Sequence, residues 1–242
     1  MHVADSRTSA IGIIIMKNPI STHWLPIHSK EALQFYLEAD KLALGVEERS
    51  TARKIAGALG TMDHILRFQR LLRDVEYISN CKTSPMAKLR NAYLVFSWQR
   101  VRLRLAFDIP LNVFGPGLSI SHYGAVVVNC NARIGAGCRL HNLVHIARKT
   151  GHEAGAPIIG DNVFIGPGAR ILGEITIADG TVIGANSVVT KSVLEPNTTV
   201  AGVPARKIGE RGTESFWPPG ERDALLDYLA ANKERFSELS NK

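Results

Sequence analysis

Small aliphatic residues recur at every sixth position of one long stretch: Val128, Ile134, Leu140 and Ile146, then, beyond an insertion, Ile159, Ile165, Ile171, Ile177, Ile183 and Val189. The residue that follows is most often Gly or Ala, as in Ile134-Gly135-Ala136-Gly137-Cys138-Arg139. A period of six fits neither the 3.6-residue helix nor the two-residue alternation of a half-buried strand. It predicts a parallel β-helix, in which each hexad supplies one short strand and a corner and three hexads close a triangular coil. The aliphatic column then fills the prism, and Gly and Asn take corner conformations that residues carrying a Cβ resist.

The flanks read as helices, which makes the chain mainly β with an α-helical N-terminal domain. Ser29 caps a helix from Lys30 to Leu44, with Leu33, Tyr36, Leu37 and Leu44 on one side and Gly45 as its stop. A second helix is expected over Glu47 to Leu59. Thr61 caps a third, where Ile65, Phe68, Leu72 and Val75 keep helical spacing while Arg67, Arg70 and Arg73 occupy the remaining surface. Ser84-Pro85 opens a fourth, which carries Leu89, Tyr93, Phe96 and Trp98 and ends at Arg100, Arg102 and Arg104. The expected division is an irregular or disordered extension over 1–28, the helical domain over 29–106, the β-helix over 107–209 and a tail over 210–242. In that tail Glu221 to Phe236 forms a helix that caps the exposed core. The insertion from Ala147 to Pro157 should leave one corner of the prism as a loop.

A net charge of +7 and a pI near 9.5 point to an anionic partner. The arginine-rich helical faces are either solvated or form a platform for an anionic substrate or for peripheral membrane contact. Nucleic acid is not expected, since no aromatic and basic interleaving and no DNA-reading motif is present. Cys81, Cys130 and Cys138 make no even disulfide framework, which suits a reduced, cytoplasmic protein. The apolar run from Ile11 to Met16 is too short to span a bilayer and has no leader-like flanks.

Histidine is the reagent to look for, because its neutral ring accepts a proton near neutral pH. His122 stands at the head of the repeat in Ser119-Ile120-Ser121-His122-Tyr123-Gly124, and His141, His145 and His152 follow one coil on or in the insertion. Several segments in order carry a resemblance. They are Asp108-Ile109-Pro110, the His122 segment, Ile165-Gly166-Pro167-Gly168-Ala169-Arg170-Ile171-Leu172-Gly173, Ile183-Gly184-Ala185-Asn186-Ser187-Val188-Val189 and Ala201-Gly202-Val203-Pro204-Ala205-Arg206. Together they resemble the catalytic domain of serine acetyltransferase and related hexapeptide acyltransferases. The run from Ile109 to Gly117 with His122-Tyr123-Gly124 is similar to a subgroup associated with surface-polysaccharide O-acetylation.

The resemblance implies a left-handed β-helix, a homotrimer, and acetyl-CoA bound in clefts between subunits, with no metal. It makes His122 the general base for an acceptor hydroxyl. Asp108 becomes a substrate-binding or orienting carboxylate, and Ser121 stands where serine acetyltransferase has an Asp. Pro167, Gly168 and Ala185 would line the pantetheine arm, and Lys191, Arg206 and Lys207 would meet the phosphates. His145 and His152 are further acceptor-side candidates. The family's Arg-His before a proline is absent, since Ala156 precedes Pro157. Serine needs a partner for its carboxylate, so the expected acceptor is a sugar hydroxyl, with L-serine as the alternative. Two other readings use the same prism: a zinc enzyme of the γ-carbonic anhydrase kind built on these histidines, and a trimeric scaffold without chemistry.

Overall fold

The computed structural model describes residues 24, 26–46, 64–81, 87–149 and 155–239. The helix expected over 47–59 and the caps at Thr61 and Ser84 lie outside these residues. Among the described residues the helices are α1 (Lys30–Ala43), α2 (His64–Asn80), α3 (Lys88–Leu105) and α4 (Glu221–Leu239). Ser29 does cap α1, its side chain accepting from Ala32 N at 3.0 Å, and Gly45 follows its end with φ of 60°. No described helix is long and apolar enough to cross a membrane.

The hexads wind a left-handed parallel β-helix of five coils. The first face stacks Phe107–Asp108, Val126–Val128, Val144–Ala147, Arg170–Leu172 and Val188–Val189. The second stacks Arg133–Ile134, Ile158–Ile159 and Thr176–Ile177, extended by bridges from Phe114 to Ile134 and from Ile177 to Val193. The third stacks Ser119–Ile120, Arg139–Leu140, Phe164–Ile165, Val182–Ile183 and Thr199–Gly202, and ends in an antiparallel strand, Ala205–Gly209. All ten aliphatic repeat positions are buried and pair in columns, such as Val128, Ile146, Ile171 and Val189. Each such side chain contributes up to ~1.5–3 kcal/mol by leaving water.

The prism extends further than the hexad count at both ends. Phe107 already pairs with Val126, so the first coil precedes the repeat and is filled by Phe107, Phe114 and Ile120. At the far end Ile177 meets Val193 and Ile183 meets Val200. That coil is shorter than the one before, so the spacing is lost while the pairing persists.

The helices close the N-terminal end of the prism. Phe68 of α2 lies edge-on to Phe107 at 5.0 Å, and Leu72, Trp98, Val101 and Leu105 join the same core. The tail helix does not cap the C-terminal end as expected. The final antiparallel strand turns the chain back, Phe216 packs on Phe164 at 4.6 Å, and Leu225 and Leu229 of α4 are buried with α1. Part of the stretch expected to be irregular is also packed: Ile27 is buried and Trp24 Nε1 donates to Asp161 Oδ1 at 3.0 Å.

Two helix faces differ from the sequence reading. On α3 the buried side is Trp98, Val101 and Leu105, while Leu89 (84% exposed), Tyr93 and Phe96 face outward. On α2 Arg73 is not a surface residue but is fully buried. Its Nε and Nη2 donate to Asp40 at 2.8 and 3.3 Å, its Nη1 donates to Glu76 at 3.0 Å, and it also holds the carbonyls of Phe114 and Gly115. Asp40 Oδ1 accepts from Gly117 N and Leu118 N, both at 2.9 Å. Glu76 Oε1 accepts from Asn112 N at 2.7 Å. A buried arginine is tolerable only when its charge and donors are matched this completely. The network pins α1 and α2 to the segment 112–118 that leads into the His122 strand.

Candidate active site

The edge of the prism between the third and first faces gathers five of the candidate residues, Ser121, His122, Pro167, Gly168 and Ala185. The chain turns this corner four times, at 121–125, 141–143, 166–169 and 184–187. Backbone bonds stack the turns: Ser121 N donates to Leu140 O at 3.0 Å, Gly168 N to Asn142 O at 3.0 Å, and Asn186 N to Pro167 O at 2.8 Å. His122 therefore stands at the head of an edge whose lower turns present Pro167, Gly168 and Ala185. His122, Pro167 and Ala185 are exposed.

The ring nearest His122 is that of His141, 5.2 Å away between centroids and tilted by 55°. The other side of His141 meets the edge of Phe164 at 5.3 Å. Burial, then the charges of His122 and Arg139, hold the His141 imidazole below its ordinary value, so it favours the neutral form. The His122 and His141 positions are 19 residues apart, close to the 20-residue register between Ile120 and Leu140, and this spacing brings them together. Ser121 supplies no visible orienting contact, since its Oγ is buried without a hydrogen-bond partner among the described residues.

Asp108 lies on the first face, paired with an arginine. Its Oδ1 pairs with Arg102 Nη2 at 2.5 Å, and Arg102 Nε also donates to Phe107 O at 3.0 Å. Across the ladder Asp108 aligns with Val127, Val127 with His145, and His145 with Arg170, so Asp108 and His145 share an outward column two strands apart. That separation is ~10 Å at the usual strand spacing. The insertion leaves the prism between the first and second faces, a different edge from that of His122. His152 within it lies outside the described residues. Ala156 and Pro157 are buried, with Pro157 O accepting from Arg133 N at 3.2 Å.

At the C-terminal end Lys191, Arg206 and Lys207 line one cleft with Leu194 and Ala205, of about 370 Å³. Lys207 is already committed: its Nζ donates to Glu195 at 2.7 Å and Glu210 at 3.0 Å, which raises its pKa. Lys191 and Arg206 have no carboxylate partner among the described residues and are the freer cations. Gly168, with φ of 73°, makes room for Asn186 of the next turn, whose Oδ1 would lie 2.1 Å from a Cβ there, as Gly180 does for Asn197.

A family model described as bacterial transferase hexapeptide (six repeats) matches residues 156–191. Serine acetyltransferase of Salmonella typhimurium is 38% identical over 130 residues, which are 52% of this chain and 47% of that protein. The chain thus spans about half the length of the curated serine acetyltransferases it matches first. An inferred acetyltransferase of Schizosaccharomyces pombe is 34% identical over 158 residues, covering 59% of this chain and 76% of that protein. A solved serine acetyltransferase in complex with CoA has the same fold, with a TM-score of 0.52 at 23% identity over 74% of this chain and 71% of that one. With the repeat matched and three-quarters of the yeast protein covered, this chain belongs to the hexapeptide-repeat acetyltransferases.

Proposed function

We propose that the protein transfers acetyl from acetyl-CoA to an acceptor hydroxyl, with His122 as general base. The observation that carries this reading is the placement of His122, exposed at the head of the same prism edge whose lower turns hold Pro167, Gly168 and Ala185. His122 takes the proton as the hydroxyl oxygen attacks the thioester carbonyl. The oxygen–carbon bond forms, the carbon–sulfur bond breaks, and the departing thiolate receives the proton from the imidazolium. A positioned base contributes ~10²–10⁴-fold to such a step. His141, held neutral, adds no second positive charge next to the imidazolium as it forms.

Gly168 and Ala185 would receive the pantetheine arm, and Lys191 and Arg206 the phosphates. Within one chain the His122 edge is separated from the insertion, which supports a homotrimeric arrangement that brings one subunit's edge to another's insertion.

The acceptor best supported by the relatives is L-serine, since that is what their names specify. A sugar hydroxyl is the second reading, favoured by Gly155 and Ala156 standing directly before Pro157, where no side chain can hold a carboxylate. Thiol release from acetyl-CoA against a panel of L-serine, nucleotide sugars and oligosaccharides tests both. Turnover with none of them, or turnover unchanged in His122→Ala, refutes the reading.

A further inference from the structure

A second cleft opens beside the His122 turn, between the start of α2 and the end of α3. It measures about 270 Å³ and is lined by His64, Arg67, Val101, Arg104, Leu105 and Tyr123. Val101 and Leu105 are buried and form an apolar floor, while Arg67, Arg104 and His64 are exposed around it. No acidic residue lines it, and neither arginine has a carboxylate partner among the described residues. This differs from Arg73 and Arg102, each spent on a named carboxylate. Tyr123, which lines the cleft, follows His122 directly in the chain.

Two unpaired guanidinium groups, an imidazole and a phenol around an apolar floor suit a planar or tetrahedral anion attached to a small organic body. We propose that this cleft binds the anionic group of the hydroxyl acceptor, a carboxylate or a phosphate, and so supplies from the helical domain the charge that the insertion lacks before Pro157. The proposal rests on His122 as the base acting on that acceptor. A neutral sugar hydroxyl would leave the cleft unused.

The test compares matched acceptors with the full chain, measuring thiol release from acetyl-CoA with L-serine against serinamide and with glucose 1-phosphate against glucose. In one pair the charged member should show a kcat/KM about 10-fold or more above the neutral one, carried by KM. Which pair shows it identifies carboxylate or phosphate. Arg67→Gln with Arg104→Gln should raise KM for the charged acceptor about 10-fold and bring it level with its neutral partner. Equal use of charged and neutral acceptors, or a preference that survives the double substitution, overturns the proposal.

If no acceptor turns over, the reading of His122 has failed and the cleft is tested by binding alone. The His64 ring signal, assigned with His64→Gln, is followed by NMR while L-serine or glucose 1-phosphate is added. A saturable shift that the Arg67→Gln, Arg104→Gln protein lacks supports the cleft. The absence of a saturable shift with both anions rejects it.

Discussion

Asp40 of α1 and Arg73 of α2 form a buried two-point ion pair, at 2.8 and 3.3 Å, whose carboxylate also receives the amides of Gly117 and Leu118. This pair ties two helices to the segment that enters the first coil. Arg73→Met leaves Asp40 and Glu76 buried without their cation, and removing one partner of such a set costs ~3–5 kcal/mol. At an m-value of ~2 kcal/mol/M the urea midpoint should fall by about 2 M. A midpoint within 0.5 M of wild type, on this same ~2 kcal/mol/M scale, would show that the network adds little.

His122→Ala should lower kcat for acetyl transfer by ~10²–10⁴-fold with the circular dichroism spectrum and melting temperature retained, because the ring is exposed and outside the core. Retained turnover would remove His122 as the base.

His141 imposes a pH dependence on stability. Its folded pKa is lowered from the ordinary 6.5, by burial first and then by the charges of His122 and Arg139. As pH falls through 6.5 the unfolded chain binds this proton before the folded chain does, so stability is full above that pH and declines below it. Urea midpoints at pH 7.5 and 5.5 should therefore diverge, with the lower value at acid pH. His141→Gln should reduce that divergence, and an identical divergence in the variant would assign it to other groups.

Gly168→Ala meets two obstacles, a φ of 73° and a Cβ only 2.1 Å from Asn186 Oδ1. Gly220→Ala meets the first alone, with φ of 81° and nothing within 4 Å. The left-handed conformation costs ~1–2 kcal/mol in either case. Thermal unfolding should show the larger loss at Gly168, together with a raised KM for acetyl-CoA at that position only.

Arg206→Ala should raise KM for acetyl-CoA ~10-fold through the lost phosphate contact. Lys207→Ala should have the smaller effect, because its ammonium is held by Glu195 and Glu210. Steady-state kinetics at fixed acceptor compares the two, and the reverse order would reassign the phosphate cation.

The prism was legible in the residues because its period is local: every sixth position must be small enough and apolar enough to stack, whatever surrounds it. Ten such positions all point inward. Helix α1 was legible for the same reason, since Ser29 bonds to an amide three residues away and Gly45 relieves its own backbone. Of the site, the family resemblance singled out His122 and the turns at Pro167, Gly168 and Ala185, and the stacked hexads bring them to one edge.

What spacing alone could not assign were the partners of charged and aromatic side chains, because these lie in other coils or helices. Arg73 has the same local pattern as Arg67 and Arg70, yet only Arg73 meets Asp40, which is 33 residues away in the chain. Leu89, Tyr93 and Phe96 look like core residues and face outward, because Trp98, Val101 and Leu105 occupy the side that the prism covers. Asp108 went to Arg102 rather than to a histidine, and His141 came to His122 because one coil returns the chain to the same edge. The residues alone determined a β-helix with a histidine at its head. The tertiary structure decided which charges are consumed in holding it together and which, such as Arg67, Arg104, Lys191 and Arg206, have no carboxylate partner among the described residues, since pairing energy depends on distance in space rather than along the chain.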